Sequence, residues 1–499
     1  MRSGVAALAC LVAFLVSSSA WGGGLQTGII DPYAFSSPDS GIAYERTLGA
    51  GATTVRLGLF WRSVAPAGLA KPLGFVANDP SSPFYSWTSF DEQVRAAAAH
   101  NVEPLVGISL APDWAEGSGS GPQGSVRPSA TELGLFAEAA AKRYNGDFPD
   151  PLFAGSLPAV RTWGVWNEPN LALFLNPQYD SKGRLYSPRL YRDLVNAVAD
   201  AVHHVSAENV VVAGETAPYG GTNDRTRMPP LTFMRSLLCL SKRLTSNCTA
   251  KTHFDVWSTH PYTWGPPTTE AYSSNDVAMG DLPEMQSVLR AGIRVHHVVS
   301  STPSVPFWVT EISWDTRGPD WKAVPLSLHA RWTAEALYRM SRAGVSRVYW
   351  WMLRDQPFPA SRFQSGFYFC GAPGLFDESI CGLAGSPGDA PKSRSLQSFR
   401  FPFVAFASNG RITVWGRVPP DVAASLVTIQ RQTSSGWKDV TTVTVGGNGI
   451  FQKLWSSSST SGYLRATLPA PSEASERFSL TRPASHRYPP FGCGDNLPC

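Results

Sequence analysis

Short apolar segments alternate with longer amphipathic ones over the first 350 residues or so. The short segments are rich in β-branched residues, and the longer ones repeat apolar positions every three or four residues, as helices do. We predict eight strands, at 25–31, 53–60, 102–110, 161–166, 209–214, 254–259, 306–310 and 346–352. Strands that alternate with helices pair in parallel through crossover connections. The pattern therefore predicts an α/β fold, a closed (β/α)₈ TIM barrel.

The pattern changes after Pro391. From Ser398 onward, alternating polar and apolar segments are separated by turns of Gly, Ser and Asn. This predicts a small antiparallel β-sandwich. We expect a barrel domain at 21–394, an accessory sandwich at 395–482 and a Pro-rich tail at 483–499. Three tryptophans of the sandwich either bind carbohydrate or pack its core: Trp415, Trp437 and Trp455.

The first 20 residues resemble an export signal. Arg2 precedes an unbroken apolar run of 12 residues at 5–16, and small residues at 18–20 precede Trp21. Twelve residues are too few to span a bilayer, which needs about 20. We expect a cleaved signal peptide at 1–20 and a protein that is secreted or associated with the cell envelope; an uncleaved N-terminal anchor is the alternative.

Composition and charge exclude some classes of protein. Hydrophobic residues make up 43% of the chain, so the main state is folded rather than disordered. The net charge of +4 on 499 residues is too weak to indicate nucleic acid or an anionic membrane as a partner. We expect a monomer without stable membrane insertion after signal cleavage.

Six cysteines remain once the signal is removed, and they lie as three close pairs. Six cysteines allow fifteen pairings. We favour pairing of neighbours because each pair then closes one loop, and disulfides suit an exported protein. A zinc site is not expected, since the chain has no Cys-x-x-Cys. The expected pairs are Cys239 with Cys248, Cys370 with Cys381, and Cys493 with Cys499.

Chemistry-bearing residues follow two of the predicted strands. The carboxyl ends of all barrel strands open at one mouth. Strand four runs into Trp166, Asn167 and Glu168, and strand seven runs into Glu311. Two glutamates that face each other in an aromatic-rich cleft suit glycoside hydrolysis, with one protonated and the other ionised.

The segment 166–170, Trp-Asn-Glu-Pro-Asn, resembles the Asn-Glu-Pro signature of the clan A glycoside hydrolases, in particular families 39 and 5, and the resemblance covers roughly 25–394. It implies a retaining enzyme that cleaves an oligo- or polysaccharide by double displacement, with Glu168 as acid/base and Glu311 as nucleophile. It implies no metal or organic cofactor. The substrate-binding residues that it implies are Asn167, Arg56, His260, Tyr262 and Trp350.

Elementary chemistry supports these roles. A cation at Arg56 would keep Glu311 ionised, and the Tyr262 hydroxyl would orient it. Trp350 and Trp351 are adjacent, so one faces the barrel interior and the other the helices; we expect Trp350 to face the site. Arg56 and Glu311 could instead form a structural ion pair, and His260 could simply bond a backbone carbonyl.

Other residues near the predicted mouth have open roles. Glu215 ends strand five and could bind sugar, whereas Asp355 fits a surface salt bridge better. Three tryptophans could form subsite walls or pack locally: Trp61, Trp114 and Trp264. Two other functions use the same fold: a non-catalytic carbohydrate-binding protein on a degenerate barrel, and a transglycosylase with the same two glutamates.

Overall fold

The computed structural model describes residues 24–221, 225–316, 323–357, 361, 363–371 and 388–483. The predicted signal peptide, most of the predicted tail and three of the paired cysteines, Cys381, Cys493 and Cys499, lie outside these residues. Within the described part, no helix has the length and hydropathy of a membrane-spanning segment.

Eight parallel strands form a closed barrel, in which each strand pairs with the next along the chain and the eighth pairs with the first. This confirms the predicted fold class. The observed strands end within a few residues of the predicted ones. They are β1 Gln26–Ile30, β2 Thr54–Phe60, β3 Glu103–Ser109, β4 Thr162–Val165, β5 Val210–Thr216, β6 Val256–Thr259, β7 Phe307–Ile312 and β8 Val345–Trp351.

Helices surround the barrel. They are α1 Ser40–Gly49, α2 Trp61–Val64, α3 Thr88–Ala99, α4 Ala130–Arg143, α5 Ser187–Val205, α6 Pro230–Leu237, α7 Leu282–Arg294 and α8 Leu326–Arg342, with 3₁₀ turns at Asp113–Ala115 and Met279–Asp281. The helices predicted at 231–243 and 282–300 are shorter than expected. Left-handed residues follow each of them, Cys239 with a φ of 54° and His296 with a φ of 59°, and such residues end a helix.

Beyond α6 and α7, two-residue strands Thr252–His253 and Val298–Val299 pair with each other. A disulfide joins Cys239 to Cys248, as the pairing of neighbours predicted. Cys370 is also disulfide-bonded.

The barrel has an inner and an outer core. Inward side chains include Leu105, Val212, Trp308 and Tyr349. At the amino end of the strands, Arg347 closes the interior, with bonds to Glu103 and to Gln26. A larger apolar cluster fills the space between strands and helices. The inner core is small because polar residues occupy the end nearest the mouth.

A ninth helix, α9 Ser393–Arg400, leads into the C-terminal sheets. The β-pattern predicted from Ser398 therefore begins only at Phe403. The strands are β9 Phe403–Ser408, β10 Arg411–Arg417, β11 Leu426–Thr433, β12 Gly436–Thr444, β13 Ile450–Ser456, β14 Tyr463–Leu468, β15 Glu473–Ala474 and β16 Phe478–Ser479.

These strands form two antiparallel sheets. One has the order β9-β10-β13, and the other has the order β12-β11-β14-β15, with β16 also paired to β14. The sheets pack on α8, where Tyr338 lies 5.5 Å from the Trp415 ring. Arg417 donates to the backbone oxygen of Leu25 just before β1. Trp415 is thus an interface residue, as the packing alternative predicted.

Candidate active site

Glu168 and Glu311 meet at the carboxyl end of the barrel. One oxygen of each and a ring nitrogen of His260 all lie within 4.8 Å of one another. The side chains are 15% and 12% exposed, respectively, so solvent reaches both without surrounding either. The two carboxylates that the strand-end argument named therefore lie close together.

Irregular backbone aims these carboxylates inward. Between β7 and β8, Val309 pairs with Val348 and Ile312 pairs with Trp350, so β7 holds one extra residue and Glu311 lies on the inner side of a bulge. Simple alternation from the inward Trp308 would have turned Glu311 outward.

A second bulge lies on β5, where Ala213 and Thr216 pair with Trp257 and Thr259. It turns Glu215 inward, with a φ of 46°, while Glu168 has a φ of 39°. Both are in the left-handed region that non-glycine residues seldom adopt and that often marks functional sites.

Arg56, on β2, is the central cation of the site. Its Nη1 donates to Glu311 Oε1 at 2.5 Å, and its Nη2 donates to Glu215 Oε2 at 2.5 Å and to Asn167 Oδ1 at 2.9 Å. Because Arg56 bonds the amide oxygen of Asn167, the amide nitrogen of Asn167 takes no part in this contact. One guanidinium thereby positions two carboxylates and an amide.

His260 and Tyr262 follow β6. His260 Nδ1 lies 3.0 Å from Glu168 Oε1 and 3.6 Å from Glu311 Oε2, whereas its buried Nε2 has no hydrogen-bond partner among the described residues. Tyr262 donates its hydroxyl to Glu311 Oε2 at 3.0 Å. His260 thus contacts the carboxylates directly, rather than a backbone carbonyl with Nδ1.

The pKa values of the two glutamates are shifted in opposite directions. Burial raises the pKa of Glu168, and the charge of Glu311 adds to this rise against the effects of His260 and Arg56. Burial also acts to raise the pKa of Glu311, but His260, Arg56 and the Tyr262 hydroxyl outweigh it and lower that pKa. One carboxyl is therefore tuned to hold a proton and the other to stay ionised.

Three glycines lie side by side on the strands next to the buried charges. Gly58, Gly107 and Gly164 pair in register across β2, β3 and β4 and form a row on the inner wall. A Cβ at Gly164 would lie 3.0 Å from Glu215 Oε1, which is tighter than ordinary contact, and one at Gly107 would lie 3.7 Å from Arg56 Nε. We call this feature the glycine row.

The expectation for Trp350 is wrong. Its side chain is fully buried between the strands and the helices, where it stacks on Phe367 at 5.1 Å and donates to the Ser365 backbone oxygen. Trp351 is half-buried and packs on the inner core with Tyr349. The two tryptophans do lie on opposite faces of β8, as predicted, but the faces were assigned the wrong way round. Trp351 is the tryptophan at the mouth.

Two polar predictions also need correction. Glu215 is fully buried beneath Arg56, so it holds the arginine and cannot touch a sugar. Asp355 is not on the surface: it bonds the buried Lys392 Nζ at 2.6 Å behind the loop that follows β8.

The loop tryptophans divide between packing and the mouth. Trp61 is buried and stacks on Phe136, and Trp114 packs edge-on against Trp61. Trp264 is 38% exposed after β6 and lies beside Tyr219. Phe60, which sequence reasoning missed, is 43% exposed at the end of β2, on the same face as Arg56. Its place two alternations beyond Arg56 was the available signal.

The cluster of Glu168, His260 and Glu311 also offers three ligand atoms of the kind that bind metal ions. However, the Arg56 cation already lies 2.5 Å from Glu311, and Tyr262 occupies the other carboxylate oxygen. The Glu311 carboxylate is thus already paired with a side-chain cation and bonded by a hydroxyl.

Neither a protein-family model nor a curated protein matches the sequence. Solved structures do. The chain is similar to a family 39 glycoside hydrolase from the gut symbiont Bacteroides cellulosilyticus WH2, at 15% identity and a TM-score of 0.49, with 87% of this chain and 79% of that chain covered. It is similar to the family 39 enzyme from Xanthomonas axonopodis pv. citri, at 15% identity and a TM-score of 0.48, with 91% and 92% covered.

A conserved exported protein from Bacteroides fragilis is similar at 12% identity and a TM-score of 0.49, with 87% of this chain and 98% of that chain covered. These likenesses concern the fold. A closed parallel barrel followed by antiparallel sheets is the architecture that the resemblance to clan A glycoside hydrolases implied.

Proposed function

We propose that the chain is a retaining glycoside hydrolase that cleaves an oligo- or polysaccharide by double displacement. The observation that carries the proposal is the pair of facing glutamates with opposite pKa shifts, one raised and one lowered. We also propose that the chain is a member of clan A, as the resemblance of its Asn-Glu-Pro segment implies.

The spacing of the glutamates favours retention. Their nearest oxygens lie within 4.8 Å. Retaining glycosidases hold their carboxyl groups about 5–5.5 Å apart, whereas inverting ones need about 6.5–9.5 Å to admit a water molecule beside the sugar. The gap here suits direct attack on the anomeric carbon.

In the first step, Glu168 gives its proton to the glycosidic oxygen as the bond to the anomeric carbon breaks, and Glu311 forms a new bond to that carbon. In the second step, Glu168 takes a proton from water, and the water oxygen displaces Glu311. Both glutamates return to their starting states.

The neighbours make these steps easier. Arg56 and Tyr262 hold Glu311 ionised and oriented for attack. Asn167, held by Arg56, offers its amide nitrogen to the sugar hydroxyl next to the anomeric carbon. Trp351 and Phe60 offer apolar ring faces to the C–H side of a sugar ring.

We also propose that the protein acts outside the cytoplasm. The disulfide between Cys239 and Cys248 suits an oxidising compartment. Sequencing the amino terminus of the protein recovered from its native host, after separation of the cytoplasmic fraction from the rest, tests this: a mature chain that begins at Trp21 supports export with signal cleavage, an intact Met1 outside the cytoplasm indicates the uncleaved anchor, and recovery from the cytoplasmic fraction alone contradicts the proposal.

Sugar release from a panel of polysaccharides and aryl glycosides tests the activity. We would compare the wild type with Glu168→Ala and Glu311→Gly, and with Glu208→Gln as a matched control, since Glu208 is a glutamate that is 78% exposed in its side chain. Circular dichroism would first establish that every variant folds.

We expect both site variants to lose activity by orders of magnitude and the control to keep it. Proton NMR of the first product should show the anomer of the substrate. An inverted first product would refute double displacement, and unchanged turnover without Glu311 would refute its role. Longer oligosaccharides as products would indicate transglycosylation, and sugar binding without turnover would favour the non-catalytic alternative.

A further inference from the structure

A groove of about 840 Å³ runs between α8 and the C-terminal sheets. Four arginines line it, Arg331, Arg394, Arg477 and Arg482, and its described lining contains no carboxylate. The groove also includes Pro325 and the first residues of α8. The loop from β7 to α8 lies at the carboxyl end of the barrel, so the groove opens at the same end as the candidate active site.

Nearby acids neutralise only part of this charge. Glu476 bonds Arg394 at 2.7 Å. Glu335 bonds Arg339 at 2.7 Å but lies 4.0 Å from Arg331 Nε, which has no hydrogen-bond partner among the described residues.

Arg477 and Arg482 form no ion pair within the described part of the chain. Counting Arg339, five arginines against two glutamates leave a local charge of about +3.

Aromatic rings hold two of the arginines in place. The Arg331 guanidinium lies 3.9 Å over the Phe478 ring, and its Nη1 donates to the Ser479 backbone oxygen at 2.8 Å. Arg477 lies 4.7 Å over the ring of Tyr463. A guanidinium stacked by its face keeps its N–H edge for a ligand.

The arginines of the groove carry like charges and repel one another. Burial lowers the pKa of Arg331, and the nearby Arg482 adds to the decrease against the effect of Glu335. An oxyanion between these arginines would replace the repulsion by charge-assisted hydrogen bonds, which guanidinium groups form with carboxylates and sulfates in a two-point geometry.

We propose that this arginine groove binds an anionic segment of an oligosaccharide, carrying carboxylate or sulfate groups, and holds an acidic polysaccharide beside the catalytic mouth. The volume is that of a small-ligand site and suits a few sugar units. Binding here goes beyond the proposed hydrolysis, although its use in feeding a substrate rests on that function.

Calorimetric titration of the full chain tests the proposal. The probes are an oligogalacturonate, a sulfated oligosaccharide of similar length and a neutral xylo-oligosaccharide. The variants are Arg477→Gln combined with Arg482→Gln, the exposed Arg411→Gln as a charge-matched control, and Glu311→Gln. Comparing the affinities of the oligogalacturonate and the sulfated oligosaccharide shows whether the groove prefers carboxylate or sulfate groups.

We expect the double arginine variant to bind an acidic probe about tenfold or more weakly than wild type, with a smaller dependence on salt, while Arg411→Gln and Glu311→Gln bind like wild type. Equal affinity in wild type and the double variant would overturn the proposal, as would equal binding of the neutral probe. Binding to anionic vesicles without binding to either acidic oligosaccharide would also overturn it. Because Glu311→Gln keeps the groove, loss of hydrolysis and loss of groove binding are separate results.

Discussion

Replacing Glu215 by Gln tests whether a carboxylate that never touches the substrate sets the protonation states of those that do. Glutamine keeps the size and the acceptor oxygen of Glu215 but removes its charge. Arg56, which bonds both Glu215 and Glu311 at 2.5 Å, would then have one anionic partner in place of two.

The size of the effect follows from Coulomb's law. At an effective dielectric constant near 20, a unit charge about 6–8 Å away contributes about 2–3 kcal/mol. That energy corresponds to about 1.5–2 pKa units. Without Glu215, the cation of Arg56 is less compensated, so the pKa values of Glu311 and Glu168 both fall.

The two glutamates control opposite limbs of the pH profile. Glu311 must be ionised for attack, so its lower pKa moves the acidic limb of kcat/KM to lower pH. Glu168 must be protonated, so its lower pKa moves the basic limb the same way, and activity at neutral pH falls by about 10- to 100-fold. The whole bell-shaped pH profile of kcat/KM should shift to lower pH, and not only decrease at its maximum.

The assay is kcat/KM on an aryl glycoside from pH 4 to 9, with denaturant unfolding of each variant. Glu103→Gln is the matched control, because Glu103 also pairs with a buried arginine, Arg347, at 3.1 Å, but at the other end of the barrel. Limbs that stay in place in Glu215→Gln would refute the reasoning, even if activity falls. An equal shift in Glu103→Gln would refute it too, because the effect would then not be local.

Three further predictions concern packing and titration. Trp351→Ala should raise KM about tenfold and should lower the unfolding free energy less than Trp350→Ala, which should lower it by about 3–5 kcal/mol. Kinetics and denaturant unfolding separate the two variants. Burial lowers the pKa of His329 to about 3, against about 6.5 when unfolded.

The unfolded chain therefore binds a proton that the folded chain does not, and stability should fall as pH drops from about 6.5 to 3; His329→Gln should flatten this slope in unfolding titrations. Replacing Cys239 and Cys248 by Ser should cost about 2–3 kcal/mol of unfolding free energy through loop closure, as measured by denaturant unfolding of variant and wild type under oxidising conditions.

Much of the barrel was predictable because strand and helix periods differ clearly along the chain. Glu168 and Glu311 were predicted to share one mouth because both end barrel strands, whatever the loops do. Asn167, Arg56 and Tyr262 were implied by the resemblance to clan A glycoside hydrolases, and charge and hydrogen-bond chemistry gave the reasons for the roles of Arg56 and Tyr262. The strand-end inference depends on topology, which the hydrophobic pattern records.

The rest depends on backbone detail that the pattern does not record. A bulge is one extra residue, and without it Glu311 would point outward. Trp350 and Trp351 are both large and apolar, so nothing in their own chemistry sets the phase of the alternation. The phase could have been taken from Arg347, a charged residue that must avoid the apolar helix layer. Asp355 was misplaced because its partner, Lys392, lies 37 residues away across a loop.

The glycine row also bears on how this protein can change over evolution. Within the row, Gly164 keeps open a volume that the Glu215 carboxylate occupies, so an alanine there is compatible only with a smaller or displaced residue at position 215. The charged pair is costly to bury, and exchanging it for apolar residues would stabilise many proteins by about 1–4 kcal/mol. Selection for stability alone should therefore favour an alanine in place of Gly164. A relative that keeps both facing glutamates but has alanine at that position would be one in which catalysis had ceased to be selected, and the loss would be visible there before it reached the catalytic residues.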